Sequence, residues 1–224
     1  MTDDRTILTI AVLGGTGKEG SGLAVRWAAS GYNVIIGSRS AERGQQKAAE
    51  LNALLGGDYL KGMGNVEAAE QANLIVLSVP YAAHAATLES VRTAVQGKIL
   101  VDVTVPLKEG KVREVHPPEG LSAALEAQAM LGDEVRVVAA FQNISAEHLA
   151  DPAHTVACDV LVCGNDKAAK AEVLKLVEAA RMRGFDAGAL RNAIAVESLT
   201  PLLIQLNIRY KGKGAGIRIT GLEP

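Results

Sequence analysis

The chain has few rings: of 224 residues only 3% are aromatic, one Trp, two Phe and four Tyr. A core without rings has to be packed from Val, Ile, Leu and Ala, the composition of buried parallel strands in α/β proteins. There are two cysteines, too few for a disulfide scaffold. Cys158 and Cys163 fall in one expected strand at an odd separation, which sends them to opposite faces and excludes a mutual bridge or metal pair. The four histidines, His84, His116, His148 and His154, have no metal-ligand spacing. A G-x-S-x-G nucleophile elbow is also missing. Metal-assisted hydrolysis and acyl transfer are therefore unsupported, and no metal is expected.

No apolar run approaches the roughly 20 residues of a membrane helix. Excess charge is missing too: 23 basic against 25 acidic residues leave a net charge of −2, with no basic stripe. Nucleic acid and membrane are accordingly not expected as partners. The start, Met1-Thr2-Asp3-Asp4-Arg5, is acidic and polar, unlike a signal peptide, so a cytoplasmic location is expected.

What is present begins at once. The apolar run Ile7–Leu13 leads into Gly14-Gly15-Thr16-Gly17-Lys18-Glu19-Gly20, and then into a helix with Leu23, Ala24, Trp27 and Ala28 on one face. Strand, glycine turn and helix form the context in which G-x-G-x-x-G binds a dinucleotide. On that reading Gly15 permits the tight turn, Gly17 admits the pyrophosphate and Gly20 lets helix and strand pack. The helix N-terminus offers free N–H groups to the phosphates.

About twenty residues on, the second strand, Asn33–Ile36, ends in Gly37-Ser38-Arg39-Ser40, with Arg43 a turn later. A site for NAD would place a carboxylate here to accept from the ribose 2′-hydroxyl. This chain offers a hydroxyl and two guanidinium groups, which suit a 2′-phosphate. The expected dinucleotide is NADP(H).

Strands and helices alternate along the rest of the chain, as in a doubly wound, mostly parallel Rossmann-type sheet. A division near residue 142 is expected, with an NADP-binding domain over 1–142 and a small C-terminal α/β domain over 143–224. Residues 107–120 read as a loop. Ligands in such sheets lie beyond the carboxyl ends of the strands. There Val79 and Pro80 would wall a nicotinamide, and Gln142, Asn143 and Ile144 would meet a second substrate. No Lys–Asp pair or Tyr-x-x-x-Lys stands at these ends, and His84 falls inside an expected helix. No catalytic acid or base is assigned. Hydride transfer to a ring that manages its own protons fits that absence.

Leu13–Gly17, Ile36–Arg39, Leu77–Pro80, Val162–Asp166, Asp186–Gly188 and Val196-Glu197-Ser198-Leu199-Thr200-Pro201 occur in this order. Together they resemble the NADPH-dependent reductases of the deazaflavin coenzyme F420, and the likeness spans nearly the whole chain. The resemblance implies hydride exchange between NADPH and F420 in a homo-oligomer. It also implies NADP contacts at Thr16, Gly17, Lys18, Glu19, Ser38, Arg39, Arg43, Val79, Pro80 and Ala146. The chain departs from the family where a His often follows the strand ending at Phe141; here Gln142 stands, expected to substitute as a neutral donor. Two other readings remain at this point. One is an NADPH-dependent reductase of a flavin or metal chelate, and the other an NADP-binding redox sensor without chemistry. The apolar helix carrying Leu202, Leu203, Ile204, Leu206 and Ile208 is either an oligomer interface or buried within one subunit.

Overall fold

The computed structural model describes residues 8–222; the polar start Met1–Arg5 lies outside them. Eight strands form one sheet in the order β3-β2-β1-β4-β5-β6-β7-β8. They are β1 (Thr9–Leu13), β2 (Asn33–Ser38), β3 (Leu60–Gly64), β4 (Leu74–Leu77), β5 (Ile99–Asp102), β6 (Arg136–Ala139), β7 (Asp159–Gly164) and β8 (Arg183–Asp186). All neighbours run parallel except β6 and β7. The strand order reverses beside β1, which pairs with β2 on one side and β4 on the other. That reversal opens the crevice in which doubly wound sheets take ligands.

The helices are α1 (Lys18–Ala29), α2 (Ala41–Leu55), α3 (Asn65–Gln71), α4 (Tyr81–Val91), α5 (Ala123–Leu131), α6 (Ala146–Leu149), α7 (Lys167–Ala179) and α8 (Ala193–Tyr210). Several start at short polar side chains that satisfy free N–H groups. Ser122 Oγ accepts from Leu125 N at 3.1 Å, and Asp166 Oδ1 accepts from Ala169 N at 2.6 Å. Helix α2 ends at Gly56, whose φ of 74° is the left-handed stop that glycine tolerates.

The sheet separates two apolar layers. Ile10 and Val12 of β1 face one, Ala11 and Leu13 the other, as strand alternation requires. Cys158 and Cys163 fall in different layers and are free thiols, as their odd spacing predicted. Trp27 and Phe141 meet edge to face at 5.9 Å in the first layer.

The sheet runs across residue 142, and the C-terminal strands β7 and β8 extend it. Arg26 of α1 fastens this portion to the nucleotide half. Its buried guanidinium donates to the carbonyls of His148, Leu149, Asp151 and Ala180. Trp27 Nε1 donates to Leu176 O at 2.8 Å. The run Ile217–Thr220 lies along β7 without forming a strand; Ile217 O accepts from Asp159 N at 2.9 Å. Residues 107–120 carry neither helix nor strand, as expected.

Candidate active site

The glycine turn sits at the carboxyl end of β1, and each glycine has a distinct steric reason. Gly14 holds a φ of 73°, and a Cβ there would lie 2.5 Å from Ser78 O. The left-handed residue of the turn is therefore Gly14 and not Gly15, although Gly15 is also required: its Cβ would meet Val12 O at 2.7 Å. A Cβ on Gly20 would come within 3.0 Å of Gly15 Cα and 2.9 Å of Ser78 Oγ, the close helix–strand packing that the sequence implies. Gly17 differs. It is exposed, caps α1 with no side-chain bond, and a Cβ there would meet only Gly14 O at 3.5 Å. The protein does not need a glycine there for its own packing. Its own N–H is taken within the turn, donating to Gly14 O at 3.1 Å.

Beside the turn, Ser38 is buried at the end of β2, and its Oγ accepts from Ser40 N at 3.4 Å. Arg39 and Arg43 are both exposed at the start of α2. The acidic Glu42 between them is engaged by Ser40 Oγ, and that bond lowers its carboxyl below the usual range.

A cleft of about 310 Å³ opens beyond the ends of β1, β4, β5 and β6. The turn residues Gly17, Lys18 and Glu19 and the β4 end, Ser78–Pro80, form one wall. Val103–Val105, Gln142, Ile144 and Thr200 form the other. Residues distant in sequence thus share one cleft: Gly17–Glu19, Val79, Pro80, Gln142 and Ile144. Glu19 is half-buried, and desolvation raises its carboxyl to about 8. Ala146 lies elsewhere, in a groove between α1, α2 and α6 that shares only Lys18 with the cleft. Asn143 does not reach the cleft. Its side chain turns inward, where Nδ2 donates to Asp159 O at 2.8 Å. A larger cavity of about 680 Å³ lies apart, between α7 and the β7–β8 edge.

Gln142 lines the cleft and also bonds into the protein. Its Nε2 donates one of its two N–H groups to Asp102 O at 2.8 Å. Its backbone carbonyl accepts from Thr200 Oγ1 at 2.6 Å. The preceding Phe141 is held at a φ of 74°, a conformation that costs a bulky residue on the order of 1–3 kcal/mol.

Asp102 ties this corner together. One carboxylate oxygen accepts from Thr104 N at 2.9 Å, and the other lies 2.7 Å from His84 Nε2. Both side chains are buried, and neither lines the cleft. Sequence reasoning missed this pair because β5 and α4 meet only in the folded sheet. The segment Glu197–Pro201 braces two elements at once. Glu197 accepts from Ala123 N at 2.8 Å and Ala124 N at 3.2 Å, capping α5, while Thr200 holds Gln142. Burial raises the Glu197 carboxyl to about 8.

The sheet order and the glycine turn define a Rossmann-type α/β protein with a dinucleotide-binding turn. Residues 9–106 match the family described as NADP oxidoreductase coenzyme F420-dependent. The F420-dependent NADP reductase of Methanothermobacter marburgensis is 43% identical over 222 residues, covering 96% of this chain and 99% of that protein. The enzyme of the same name from Methanocaldococcus jannaschii is 40% identical over 225 residues, covering 96% of this chain and 100% of that one. A solved structure from Arthrobacter sp. FB24, provisionally described as an F420-dependent NADP-reductase, superposes with a TM-score of 0.81 at 28% identity. It covers 95% of this chain and 99% of its own. The chain belongs to the F420-dependent NADP reductase family.

Proposed function

We propose that the protein transfers a hydride between NADP(H) and the deazaflavin coenzyme F420 in the cleft between the glycine turn and Gln142. The observation that carries this reading is the pairing of Gly17 with the cleft. This glycine, unneeded for packing, opens onto a space whose far wall, at the end of β6, lies three strands from β1 and two from the Val79–Pro80 wall. With strands about 4.8 Å apart, the wall from β4 to β6 spans about 10 Å, room for two stacked planar rings. The nicotinamide supplies the hydride when bound. Free N–H groups at the start of α1 would hold the pyrophosphate. Ser38, Arg39 and Arg43 would hold a 2′-phosphate, with the carboxylate of Glu42, between the two arginines, engaged by Ser40 Oγ. Val79 and Pro80 give one ring an apolar wall, and Ile144 narrows the opposite side.

The residues of the cleft hold and orient, and they exclude water. None is placed as an acid or base, which suits exchange between two rings that manage their own protons. Residues 143–224 act in this reading as the substrate-side unit. The exposed Leu202, Leu206 and Ile208 of α8 form the contact between copies in a homo-oligomer. A steady-state assay with NADPH and F420, followed at the visible deazaflavin band with FMN and FAD in parallel, tests the reading. Bleaching of F420 alone is expected. Tight NADPH binding with turnover of FMN, or with none, would replace it by a flavin reductase or a sensor.

A further inference from the structure

The cavity of about 680 Å³ between α7 and the amino ends of β7 and β8 shares no lining residue with the cleft. Its volume falls in the range of small-molecule sites. Val156, Leu174 and Met182 give it an apolar side, and a methionine adapts its shape to what it packs against. Four cations and two acids also line it. Two of the cations are engaged: Arg183 holds Asp159 through bonds of 2.8 and 2.6 Å, and Lys175 meets Glu172 Oε2 at 2.8 Å. That leaves two arginines, Arg181 and Arg218, against one acid, Glu178, so the wall is positive on balance. Among the described residues Arg218 makes no side-chain hydrogen bond, and Arg181 makes a single long one, to Ala153 O at 3.4 Å.

Arg181 is costly to the fold where it stands. It follows the Ala180 cap of α7 at a φ of 59°, a left-handed conformation that glycine takes without strain. Its charge also disturbs a neighbour. Burial lowers the guanidinium of Arg26 below its usual range, Asp151 counters this, and the charge of Arg181 lowers it further. A glycine would relieve both costs. An arginine that strains the backbone and repels a buried guanidinium, on a cavity wall beside a second arginine, points to a ligand. We propose that this cavity is a second binding site, for an amphiphilic organic monoanion. The apolar body lies against Leu174 and Met182, and a carboxylate or sulfonate group sits between Arg181 and Arg218. A guanidinium fork donates two parallel bonds to such a group. One negative charge matches the excess on the wall, whereas the several charges of a nucleotide exceed it.

The test is a calorimetric titration of the NADP-loaded protein with anilinonaphthalenesulfonate, an aryl monoanion, in wild type, Arg181→Gly and Arg218→Gln. One saturable site is expected in the wild type, undisturbed by an excess of NADP or of a deazaflavin riboside. Each substitution should weaken the dye by about fivefold or more and leave the Kd for NADPH unchanged. Arg181→Gly should melt no lower than the wild type, because it relieves the left-handed φ and the repulsion of Arg26; that separates lost binding from lost fold. Should it not fold, Arg218→Gln alone decides, since Arg218 is exposed and makes no hydrogen bond for the fold to lose. Equal dye affinity in wild type and variants would overturn the proposal. So would displacement of the dye by NADP or the riboside, which would put it in the cleft, or the absence of saturable binding to the wild type.

Discussion

Replacing Gly17 with Val separates the packing role of the glycine turn from its binding role. The residue sits at φ −74° and ψ 161°, a conformation open to any side chain, and a Cβ there meets one carbonyl at 3.5 Å. The fold loses only the modest advantage of glycine over an apolar residue at a helix N-cap, about 0.5–1 kcal/mol. Restricting the unfolded chain returns about 0.4–1 kcal/mol. The net change is near zero, and Tm should fall by less than about 4 °C. Binding is another matter. The branched side chain would stand where a pyrophosphate has to approach the first N–H groups of α1. Losing two charge-assisted bonds at about 1.5–3 kcal/mol each weakens NADPH by at least about 100-fold. Gly15→Ala is the control, because its Cβ would lie 2.7 Å from Val12 O and the turn has to move. It should lose stability as well as affinity. Calorimetric melting with NADPH titration reads both quantities. Retained NADPH affinity in Gly17→Val, or a collapse of its Tm, would refute the reasoning.

Arg39→Ala should raise the Kd for NADPH by about 10- to 100-fold and leave NADH nearly unchanged; equal losses for both would remove Arg39 from the 2′-phosphate. Thr200→Val keeps shape and removes the 2.6 Å bond to the Gln142 carbonyl. KM for F420 should rise several-fold, roughly 1 kcal/mol, while the NADPH Kd stays put; a change confined to NADPH would place Thr200 on the wrong ring. Glu197 is raised to about 8 when folded, so the folded chain binds the extra proton. Its contribution to stability is full below the unfolded value of 4.5 and is lost as pH rises through about 8. Glu197→Gln should flatten the fall of Tm across that window, and an unchanged slope would assign the fall to other groups.

The nucleotide half was largely legible in sequence because its signals are local. An apolar strand, a glycine turn and an amphipathic helix are neighbours along the chain, and so are the β2 end and its two arginines. Periodicity also placed the cysteines in different layers, although Cys158 falls just before the first residue of β7. Long-range polar contacts left no such mark. Arg26 reads as an interruption in the apolar face of α1, and its four carbonyl partners lie more than a hundred residues away. His84 and Asp102 are joined only because β5 runs beside β4, from whose end α4 departs. Asn143 and Gln142 look equivalent as adjacent amides, yet Asn143 bonds inward to Asp159 O while Gln142 lines the cleft. The helix α6 was missed for its length, a single turn.

The buried pair beneath the cleft bears on how the reaction is arranged. Asp102 commits its carboxylate to Thr104 N and His84 and its carbonyl to Gln142, so all its bonds point into the protein. A proton donor for substrate has to reach the reacting atoms, and His84 is walled off from the cleft by the strand ends it supports. The same bonds fix the positions of Thr104, Gln142 and the β5 end relative to one another. Rigid placement is what ring-to-ring hydride exchange requires, because its rate depends on distance and alignment more than on any acid or base. The Glu197–Pro201 segment serves the same end from α8, capping α5 with Glu197 and clamping the β6 end with Thr200. A polar network that would read as catalytic in another setting is here the frame that keeps two walls a fixed distance apart.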